Sequence, residues 1–354
     1  IDPADPLFLA EQGAWFDASA PHVTEFSQGA EVTELSGDEA LASLTITARG
    51  AGSGGAQRQA LPVRFRRQGD AWLLRGPALE QAPGAPLAVR RTGLDAEDAA
   101  VLSAAVERAY RQVTGDLGLP LPRPLDVRAY PSDTLFHYTL GIDAPDAGRD
   151  HYAPGEAVRL SAKGDPADYA PRLARLLARA ALAEAGLADP WLAEGLALLA
   201  AARAAPDDAW RLEADYVPRV REAARLERLP DWAAAPPTIA EAPDAERTLR
   251  IGQAWMLWDG VVREFGVDAV RAMVRRLAGG DPLPDAFAAA TGRTLTVWEP
   301  AWREDLLAGG VPEEARAVAK GFDPERALAA AYELASPRYG GRQPGSPGTQ
   351  AAAE

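Results

Sequence analysis

The 354-residue chain contains no cysteine and only three histidines, His22, His137 and His151. Without cysteine it cannot form disulfides, iron–sulfur clusters, thiolate nucleophiles or cysteine-based zinc sites. Lysine is scarce as well, with two lysines against 35 arginines, a bias typical of a GC-rich genome, so a single arginine carries little information about function. No apolar run reaches the ~18 residues that a membrane-spanning helix needs, so we expect no direct membrane insertion.

Acidic side chains outnumber basic ones by 51 to 37, which leaves a net charge of −14. A chain of this charge is repelled by phosphate backbones and by anionic lipid, so nucleic acid is not an expected partner. Hydrophobic residues make up 47% of the chain and charged residues 25%, values that are ordinary for a folded globular protein. At the usual ~100–200 residues per domain, the length predicts two domains.

The chain begins with Ile1-Asp2-Pro3 rather than with methionine. A processed start, the absence of cysteine and a Gly/Pro/Ser/Gln-rich tail fit an exported bacterial protein whose leader has been removed. A trimmed cytoplasmic chain would begin in the same way. We expect an exported location, in the periplasm, in the cell envelope or outside the cell.

Residues 1–83 have the pattern of a small α+β domain. We expect a short amphipathic segment over 7–16 and strands over 31–35, 42–47, 61–66 and 71–74, joined by a loop at 50–55 and a turn at 68–70. The strands over 42–47 and 61–66 alternate apolar and polar residues, which predicts one buried face for each. The hairpin "RRQGDAWLLRGP" is similar to the final strands of nuclear-transport-factor-like cone folds, a likeness that implies a cone-like sheet without a catalytic signature. Residues 81–86 are expected to form a linker.

Helical periodicity dominates after residue 94. The sequence predicts a helix capped by Asp95 and running to about 117, two strands over 125–130 and 157–161, and helices over 168–186, 190–204, 207–228, 245–264, 267–278, 283–290 and 296–308. Asp189 before Pro190 is a strong start signal, because aspartate accepts the unpaired amide hydrogens and proline lacks one. We expect this second domain to span 84–310, followed by a helical segment over 311–335 and a disordered tail over 336–354.

The segment "PWLAEGLA" at 190–197 closely resembles the glutamate helix of gluzincin-type (peptidase MA-like) metallopeptidases. In that family one helix carries HExxH, and a glutamate in a W-L-x-E-G-x-A run on the next helix is the third zinc ligand. The strand ending in "RAYPSDTLF", the strand "HYAPGEAVRLSA" and the closing helices after "IGQAWMLWDG" are also similar to the family, so the resemblance spans about 95–308. It implies a mostly helical domain with a short sheet, and Glu194 at the position of the zinc-binding glutamate.

The other metal ligands of the family are missing from this chain. In one register Ala178, Arg179 and Leu182 replace the His, Glu and His of HExxH, and in the next register Arg179, Ala180 and Ala183 replace them. No histidine follows residue 151 in either case. A zinc peptidase of this mechanism needs two imidazoles, a carboxylate and a general base. We therefore predict no catalytic residue, no bound metal and no cofactor.

The resemblance defines a candidate cleft made of Arg179, Trp191, Glu194, His151 and Tyr152. We expect Glu194 to be a vestigial ligand paired with an arginine, with Arg179 as the leading candidate; the alternative is an ordinary glutamate favoured by the helix dipole. Trp191 is expected to pack in the core. His151 and His137 together with Glu194 would make a rebuilt metal site, but lone histidines are more often structural or solvated.

Two further sets of side chains allow a functional and a structural interpretation. The tryptophans at helical spacing are expected to be core residues rather than a stacking platform: Trp255, Trp258, Trp298 and Trp302. One stripe of a helix carries three arginines, which either bind an anionic partner or form salt bridges within the chain: Arg172, Arg175 and Arg179.

The sequence thus predicts an α+β protein with a small N-terminal α+β domain followed by a degenerate gluzincin-like domain. Its expected role is that of a catalytically inactive metallopeptidase-like protein (a pseudoenzyme) of the bacterial cell envelope that binds a protein or peptide partner. One alternative is a hydrolase with a metal-independent carboxylate site in the same cleft, which needs a second acid facing Glu194. The other is a purely structural envelope component.

Overall fold

A computed structural model describes most of the chain up to residue 308. The residues that it describes are 2, 6–19, 23–50, 57–82, 87–91, 94, 96–130, 150–162, 165–230, 232, 239 and 242–308. Contacts between residues divide the chain into two compact units, Ile1–Glu299 and Pro300–Glu354. The molecule is mixed α+β, as predicted, with an antiparallel sheet first and a largely helical region after it. The predicted helical segment 311–335 and tail 336–354 lie outside the described residues, and the domain boundary at 83/84 stays a prediction.

The N-terminal region consists of one helix and a four-stranded antiparallel sheet. Its elements are α1 (Pro6–Ser19), β1 (Val23–Ser36), β2 (Glu39–Gly50), β3 (Gln57–Gln68) and β4 (Ala71–Pro77), with the strands in the order β1-β2-β3-β4. All four strands expected from the sequence are confirmed, and the segment 7–16 lies within α1. Burial alternates along β2, where every second residue from 40 to 46 is buried, because one face of the sheet is covered and the other faces water.

The covered face of this sheet has its own small apolar core. The buried side chains are Ala42, Leu44, Ile46 and Val63, with Phe65 and Leu74 packed against them. Phe8 of α1 is also buried, with 1% of its surface exposed, and its ring lies over Gly76 of β4. A Cβ at Gly76 would stand 3.0 Å from that ring, and the residue has a φ of +107°, so both space and backbone conformation require glycine there.

A second four-stranded sheet follows, and two of its four strands were not predicted from the sequence. Its strands are β5 (Glu80–Ala82), β6 (Ala88–Arg91), β7 (Asp126–Tyr130) and β8 (Val158–Ser161), antiparallel between β5 and β6 and parallel beyond. The expected linker over 81–86 is therefore wrong in its first two residues, which belong to β5. Three residues have no detectable periodicity, and β5 is a strand only because β6 supplies its hydrogen-bonding partner.

The strands β7 and β8 are buried on both faces. Every residue of both strands is buried, so neither strand has a face exposed to water. The second face carries two almost fully buried arginines that lie side by side in the register, Arg128 and Arg159. Acidic neighbours compensate these charges, with Asp126 near Arg128 and Glu156 bonded to Arg159. Buried charges of this kind require such partners.

The helical region confirms the predicted helices nearly residue for residue. They are α2 (Ala96–Tyr110, continued by a π-helical turn over Arg111–Asp116), α3 (Tyr169–Ala185), α4 (Pro190–Ala204), α5 (Ala209–Arg225), α6 (Asp244–Phe265), α7 (Val267–Ala278), α8 (Leu283–Thr291) and α9 (Leu295–Ala308). Asp95, the predicted cap of α2, lies outside the described residues. In the described part of the chain, no helix combines the length and the apolar character needed to cross a bilayer.

The core of this region lies where α3 packs on α2 and α4, and where α4 packs on α6. The four tryptophans expected in the core are all buried, with at most 6% of their surface exposed. Trp258 of α6 is completely buried, and its indole Nε1 donates a hydrogen bond to the backbone oxygen of Leu192 at 2.9 Å. This bond joins α6 to the first turn of α4, which is the turn that presents Glu194.

Candidate functional site

The start of α4 is set by the Asp189-Pro190 signal. The carboxylate Oδ1 of Asp189 accepts hydrogen bonds from the backbone amides of Trp191 and Leu192, both at 2.9 Å, and Pro190 takes the first helical position. Gly186, with a φ of +82°, ends the preceding helix α3. The connection between the two helices is therefore short, and the first turns of α4 face the side of α3 that carries the arginine stripe.

Glu194 is held by two arginines of α3. Its Oε1 accepts hydrogen bonds from Nε of Arg175 at 2.6 Å and from Nη2 of the same guanidinium. Its Oε2 accepts a bond from Nε of Arg179 at 2.6 Å and lies 2.6 Å from Nη2 of that residue. The pairing expected with Arg179 is thus present, and Arg175 is a second, equivalent partner.

These contacts saturate the carboxylate. An ionised carboxylate has about four lone-pair sites, and four guanidinium nitrogens point at the two oxygens of Glu194. The glutamate side chain is 5% exposed, whereas the side chains of Arg175 and Arg179 are 36% and 35% exposed. The site therefore places a buried anion beneath two partly accessible cations, with a formal charge of +1 for the three side chains.

Tyr216 of α5 completes the surroundings of this cluster. Burial raises the pKa of its phenol above the ordinary value; the charge of Arg175 opposes this shift and the carboxylate of Glu194 adds to it. Its ring meets Trp255 of α6 edge-on, with the ring centres 6.0 Å apart. For Arg175, burial is the largest single effect and would lower the pKa, but the charge and hydrogen bond of Glu194, with Tyr216 and Asp150, together outweigh burial and the pKa is raised.

Gly195, the residue after the glutamate, sits at the closest approach of α4 and α6. A Cβ on Gly195 would lie 2.6 Å from the backbone carbon and the Cβ of Ala254, and 2.6 Å from the backbone nitrogen of Trp255. Only glycine therefore permits the close contact between α4 and α6 at this position. This contact sets the position of α4 against α6, and with it the position of Glu194. The two helices cannot move apart without exposing the buried tryptophans.

Trp191 is a core residue, as expected, with 4% of its surface exposed. The guanidinium carbon of Arg250 lies 5.9 Å from the centre of its ring, within the range of a cation–π contact. Arg250 also donates from Nε to the carboxylate of Glu246 at 2.7 Å. Trp191 therefore supports the α4–α6 packing next to the cluster.

The third arginine of the stripe, Arg172, is bound to another acid. Its Nε and Nη2 donate to the two carboxylate oxygens of Asp150 at 2.6 and 2.5 Å, and Nη2 also reaches the backbone oxygen of Ser161 at 2.5 Å. All three arginines of the stripe are thus in salt bridges within the chain. The salt bridges that the sequence analysis offered as one interpretation of the stripe are therefore observed for all three arginines.

His151 and Tyr152 lie in the segment that leads into β8. The backbone of His151 forms a two-way bridge with Arg159 at 2.9 Å in each direction, and its Nε2 is 3.6 Å from the carboxylate of Glu156. Burial, with Glu184 adding to it, raises the pKa of Tyr152. Among the described contacts, neither residue reaches Glu194. His22 and His137 fall outside the described residues.

No metal centre is built from the residues that the structure describes, because nowhere in those ranges do three His, Asp or Glu side chains come together in a way that could hold an ion. At Glu194 itself, the positions that a cation would occupy are taken by guanidinium groups. A divalent ion placed there would face two positive charges and a carboxylate without a lone pair to offer. The donor set around Glu194 does not fit zinc.

Sequence reasoning placed Arg179 next to Glu194 but gave Arg175 no role there and did not name Tyr216. Arg175 carries a signal, since it lies four residues before Arg179 and therefore on the same face of α3. Tyr216 carries none, because it comes from α5 and reaches the site only through the packing of α5 on α6.

A comparison with protein-family models gives no match, and a comparison with curated proteins finds no similar sequence. The function therefore has to be inferred from the residues around Glu194 themselves.

Proposed function

We propose that this chain is a catalytically inactive metallopeptidase-like protein that binds a protein or peptide partner in the bacterial cell envelope. The observation that supports the proposal is the occupation of both oxygens of Glu194 by Arg175 and Arg179. In the gluzincin family, which the segment 190–197 resembles, the corresponding glutamate binds zinc. Here the helix that would carry the two histidines supplies two guanidinium groups to it instead.

The arrangement argues against catalysis by Glu194 in either of its usual roles. As a metal ligand, the carboxylate would have to give up hydrogen bonds to two cations, and charge-assisted bonds of this kind are among the strongest in proteins. As a general acid, it would have to carry a proton where an arginine now donates. In the described part of the chain, the side chains that hydrogen-bond to Glu194 are Arg175 and Arg179, so the second acid that the metal-independent hydrolase requires is not among its direct partners.

The same arrangement favours a partner with an acidic segment. Two guanidiniums face one carboxylate, so the site carries an excess positive charge on a chain whose overall charge is −14. Each of the two arginines uses Nε and Nη2 for Glu194, and about a third of each side chain remains accessible. Arginine presents five donors in a fixed plane and can bind a carboxylate on a second edge.

The first test is metal content. The purified chain is incubated with excess zinc, passed through a desalting column and analysed by atomic emission, with Glu194→Gln treated in the same way. We expect far less than one zinc per chain, with no difference between the two proteins. Stoichiometric zinc that is lost in Glu194→Gln, or hydrolysis of peptides that a chelator abolishes, would overturn the proposal.

The second test is peptide binding. Fluorescent peptides of equal length, one acidic, one neutral and one basic, are titrated with the wild-type chain, with Arg179→Gln and with the matched control Arg225→Gln, an exposed ion-paired arginine of α5. The acidic peptide should bind most tightly, and only Arg179→Gln should weaken its binding. Equal binding of all three peptides, or equal losses in both variants, would contradict a site at Glu194.

A further inference from the structure

The cluster around Glu194 keeps unused hydrogen-bond donors, whereas its carboxylate has no lone pair left to offer. Both oxygens of Glu194 are occupied by Arg175 and Arg179, each of which uses Nε and Nη2 for this purpose. Among the residues that the structure describes, Nη1 of neither arginine has a hydrogen-bond partner. A guanidinium has five N–H donors and no acceptor, so the unused edge of each arginine can only donate.

Tyr216 of α5 places a phenol beside these two arginines. Its hydroxyl interacts electrostatically with Arg175, Glu194 and Arg179, but it forms no hydrogen bond with any group in the described ranges. Burial raises the pKa of this phenol, although the charge of Arg175 opposes the shift. The hydroxyl therefore keeps its proton at neutral pH and is available as a donor.

Packing against α6 fixes the position of this phenol. The ring of Tyr216 meets that of Trp255 edge-on, and a Cβ on Gly252 would stand 3.2 Å from Cδ1 of the tyrosine. Trp255 is 6% exposed, and no described group accepts a hydrogen bond from its buried indole Nε1. Buried N–H groups without a partner are rare in folded proteins. The surroundings of Glu194 thus favour a ligand that accepts hydrogen bonds.

The charge of the cluster matches a ligand with one negative charge. Glu194 and its two arginines have a formal sum of +1. Two other carboxylates act on the cluster without bonding to it: Asp150, which is bound by Arg172, and Asp215, which is exposed to water. One carboxylate from a ligand brings the sum to zero. A phosphate group carries about −1.5 to −2 at neutral pH and would leave excess negative charge next to a buried anion.

We propose that Arg175, Arg179 and Tyr216 form a subsite for one carboxylate of the bound peptide, with the two Nη1 groups and the phenol as donors. The carboxylate belongs either to an acidic side chain or to the C-terminus of the peptide, two sources with the same chemistry. This inference rests on the peptide-binding function proposed above. It adds the chemical group that is recognised and makes Tyr216 a specificity-determining residue.

Three peptides of otherwise identical sequence separate the two sources. The first has one glutamate and an amidated C-terminus, the second has glutamine in its place and a free C-terminus, and the third has glutamine and an amidated C-terminus. Fluorescence anisotropy with the full chain should show binding of the first or the second peptide, and at least tenfold weaker binding of the third. The peptide that binds identifies the source. Equal binding of all three, or tighter binding when phosphoserine replaces the glutamate, would overturn the inference.

The role of Tyr216 is tested with the peptide that binds most tightly. Tyr216→Phe keeps the ring and removes the hydroxyl, and the control Tyr169→Phe removes a phenol that donates to the backbone oxygen of Ala162 at 2.9 Å. Since hydrogen bonds to charged groups are the stronger ones, the dissociation constant should rise about tenfold in Tyr216→Phe and stay unchanged in Tyr169→Phe. Peptide binding that is equal in Tyr216→Phe and wild type would overturn this inference alone. Failure of every peptide to bind wild type would overturn the proposed peptide-binding function as well.

A spectroscopic measurement locates the bound peptide without depending on affinity. In chain labelled with ¹⁵N-tryptophan, the indole signals of Trp255 and Trp258 are assigned by their absence from Trp255→Phe and Trp258→Phe. The Trp255 signal should shift when the peptide binds, because this ring lies against Tyr216. The Trp258 signal should shift less, since its indole is completely buried and bonded to Leu192. An unchanged Trp255 signal with the peptide bound would overturn the subsite.

Discussion

Each half of the molecule holds a glutamate between two arginines, and the two clusters behave as opposites. In the N-terminal sheet, Glu39 lies 2.7 Å from Arg75 and 4.0 Å from Arg64, and its side chain is 47% exposed. In the helical region, Glu194 is 5% exposed and accepts charge-assisted bonds on both oxygens. Water solvates the first cluster and is largely excluded from the second. The same residue types therefore make a surface ion pair in one place and a structural anchor in the other.

The contrast extends to packing. The sheet β1–β4 buries one face and leaves its first strand exposed, whereas α4 is buried on nearly every side between α3 and α6. Matched substitutions in the two regions should therefore have very different effects on the free energy of unfolding, which can be measured by urea denaturation.

The largest effect is expected from Gly195→Ala. The new methyl group would stand 2.6 Å from backbone atoms of α6, which cannot rotate away, so α4 and α6 must separate. We expect a loss of about 3 kcal/mol in the free energy of unfolding. The control is Gly13→Ala in α1, where a Cβ meets nothing within 4 Å and alanine is the better helix former by up to ~1 kcal/mol. Similar losses in both variants would contradict the close α4–α6 contact.

The second-largest loss in the free energy of unfolding is expected from Glu194→Gln. The amide would leave Arg175 and Arg179 side by side with one neutral oxygen between them. Breaking a fully buried pair costs about 3–5 kcal/mol, and since these arginines are a third exposed we expect about 2 kcal/mol.

The matched variant for this comparison is Glu39→Gln, which removes a carboxylate that is 47% exposed from between Arg64 and Arg75, while Arg75 keeps its contact with Asp2 at 3.5 Å. It should cost less than about 1 kcal/mol, and 1 M salt should remove most of that difference. Equal losses at positions 39 and 194 would show that burial is not what separates the two clusters.

A smaller effect is expected from Trp258→Phe. This change removes the hydrogen bond from the indole to the backbone oxygen of Leu192 and leaves a small void in a completely buried position. Together these should cost about 1.5 kcal/mol. Trp72→Phe on β4, at a side chain that is 40% exposed, should change the free energy by less than about 0.5 kcal/mol. If Trp72→Phe lowered the free energy of unfolding more than Trp258→Phe, the sheet and not the helical core would contribute most to stability.

The smallest effect concerns the pH dependence of Tyr216. Its pKa is raised in the folded chain, mainly by burial, so the folded state holds this proton more tightly than the unfolded state does. The resulting stabilisation is fully present below the unfolded pKa of ~10 and is lost as the pH rises through the folded value. Tyr216→Phe should therefore show a shallower loss of stability above pH ~10 than wild type. When tyrosinate absorbance is followed against pH, the variant should lack one phenol that ionises at high pH in the wild type. Identical titrations of the two proteins would contradict the burial of Tyr216.

Secondary structure was largely predictable from local pattern. The helices of the second region were predicted to within about two residues at most ends, because capping signals such as Asp189-Pro190 and terminal glycines such as Gly186 act on their own turn. The strands β2 and β3 were predictable because one face of their sheet is wet, which makes burial alternate. The strand β5 was not, since three residues become a strand only through their neighbour.

The candidate site was predictable in part. Glu194 was predictable because it lies in the segment that resembles a zinc-ligand motif. Arg179 was predictable as its partner because no histidine is present on the preceding helix, and the contact between the two side chains is observed. Arg175 belonged to a stripe that the sequence left undecided between a binding surface and a salt-bridged face. Tyr216 could not be found from the sequence, since nothing in its own segment points toward Glu194.

The sequence by itself determined which chemistry is excluded, which segments are helix or strand, and that the glutamate at 194 has no imidazoles to share a metal with. These properties depend on composition and on patterns within a turn or two of the chain. Only the tertiary structure decided which charges are neutralised and that both oxygens of Glu194 are occupied by arginine. Such properties depend on which residues from distant parts of the chain exclude water from one another, and the strength of each ionic contact follows from that exclusion.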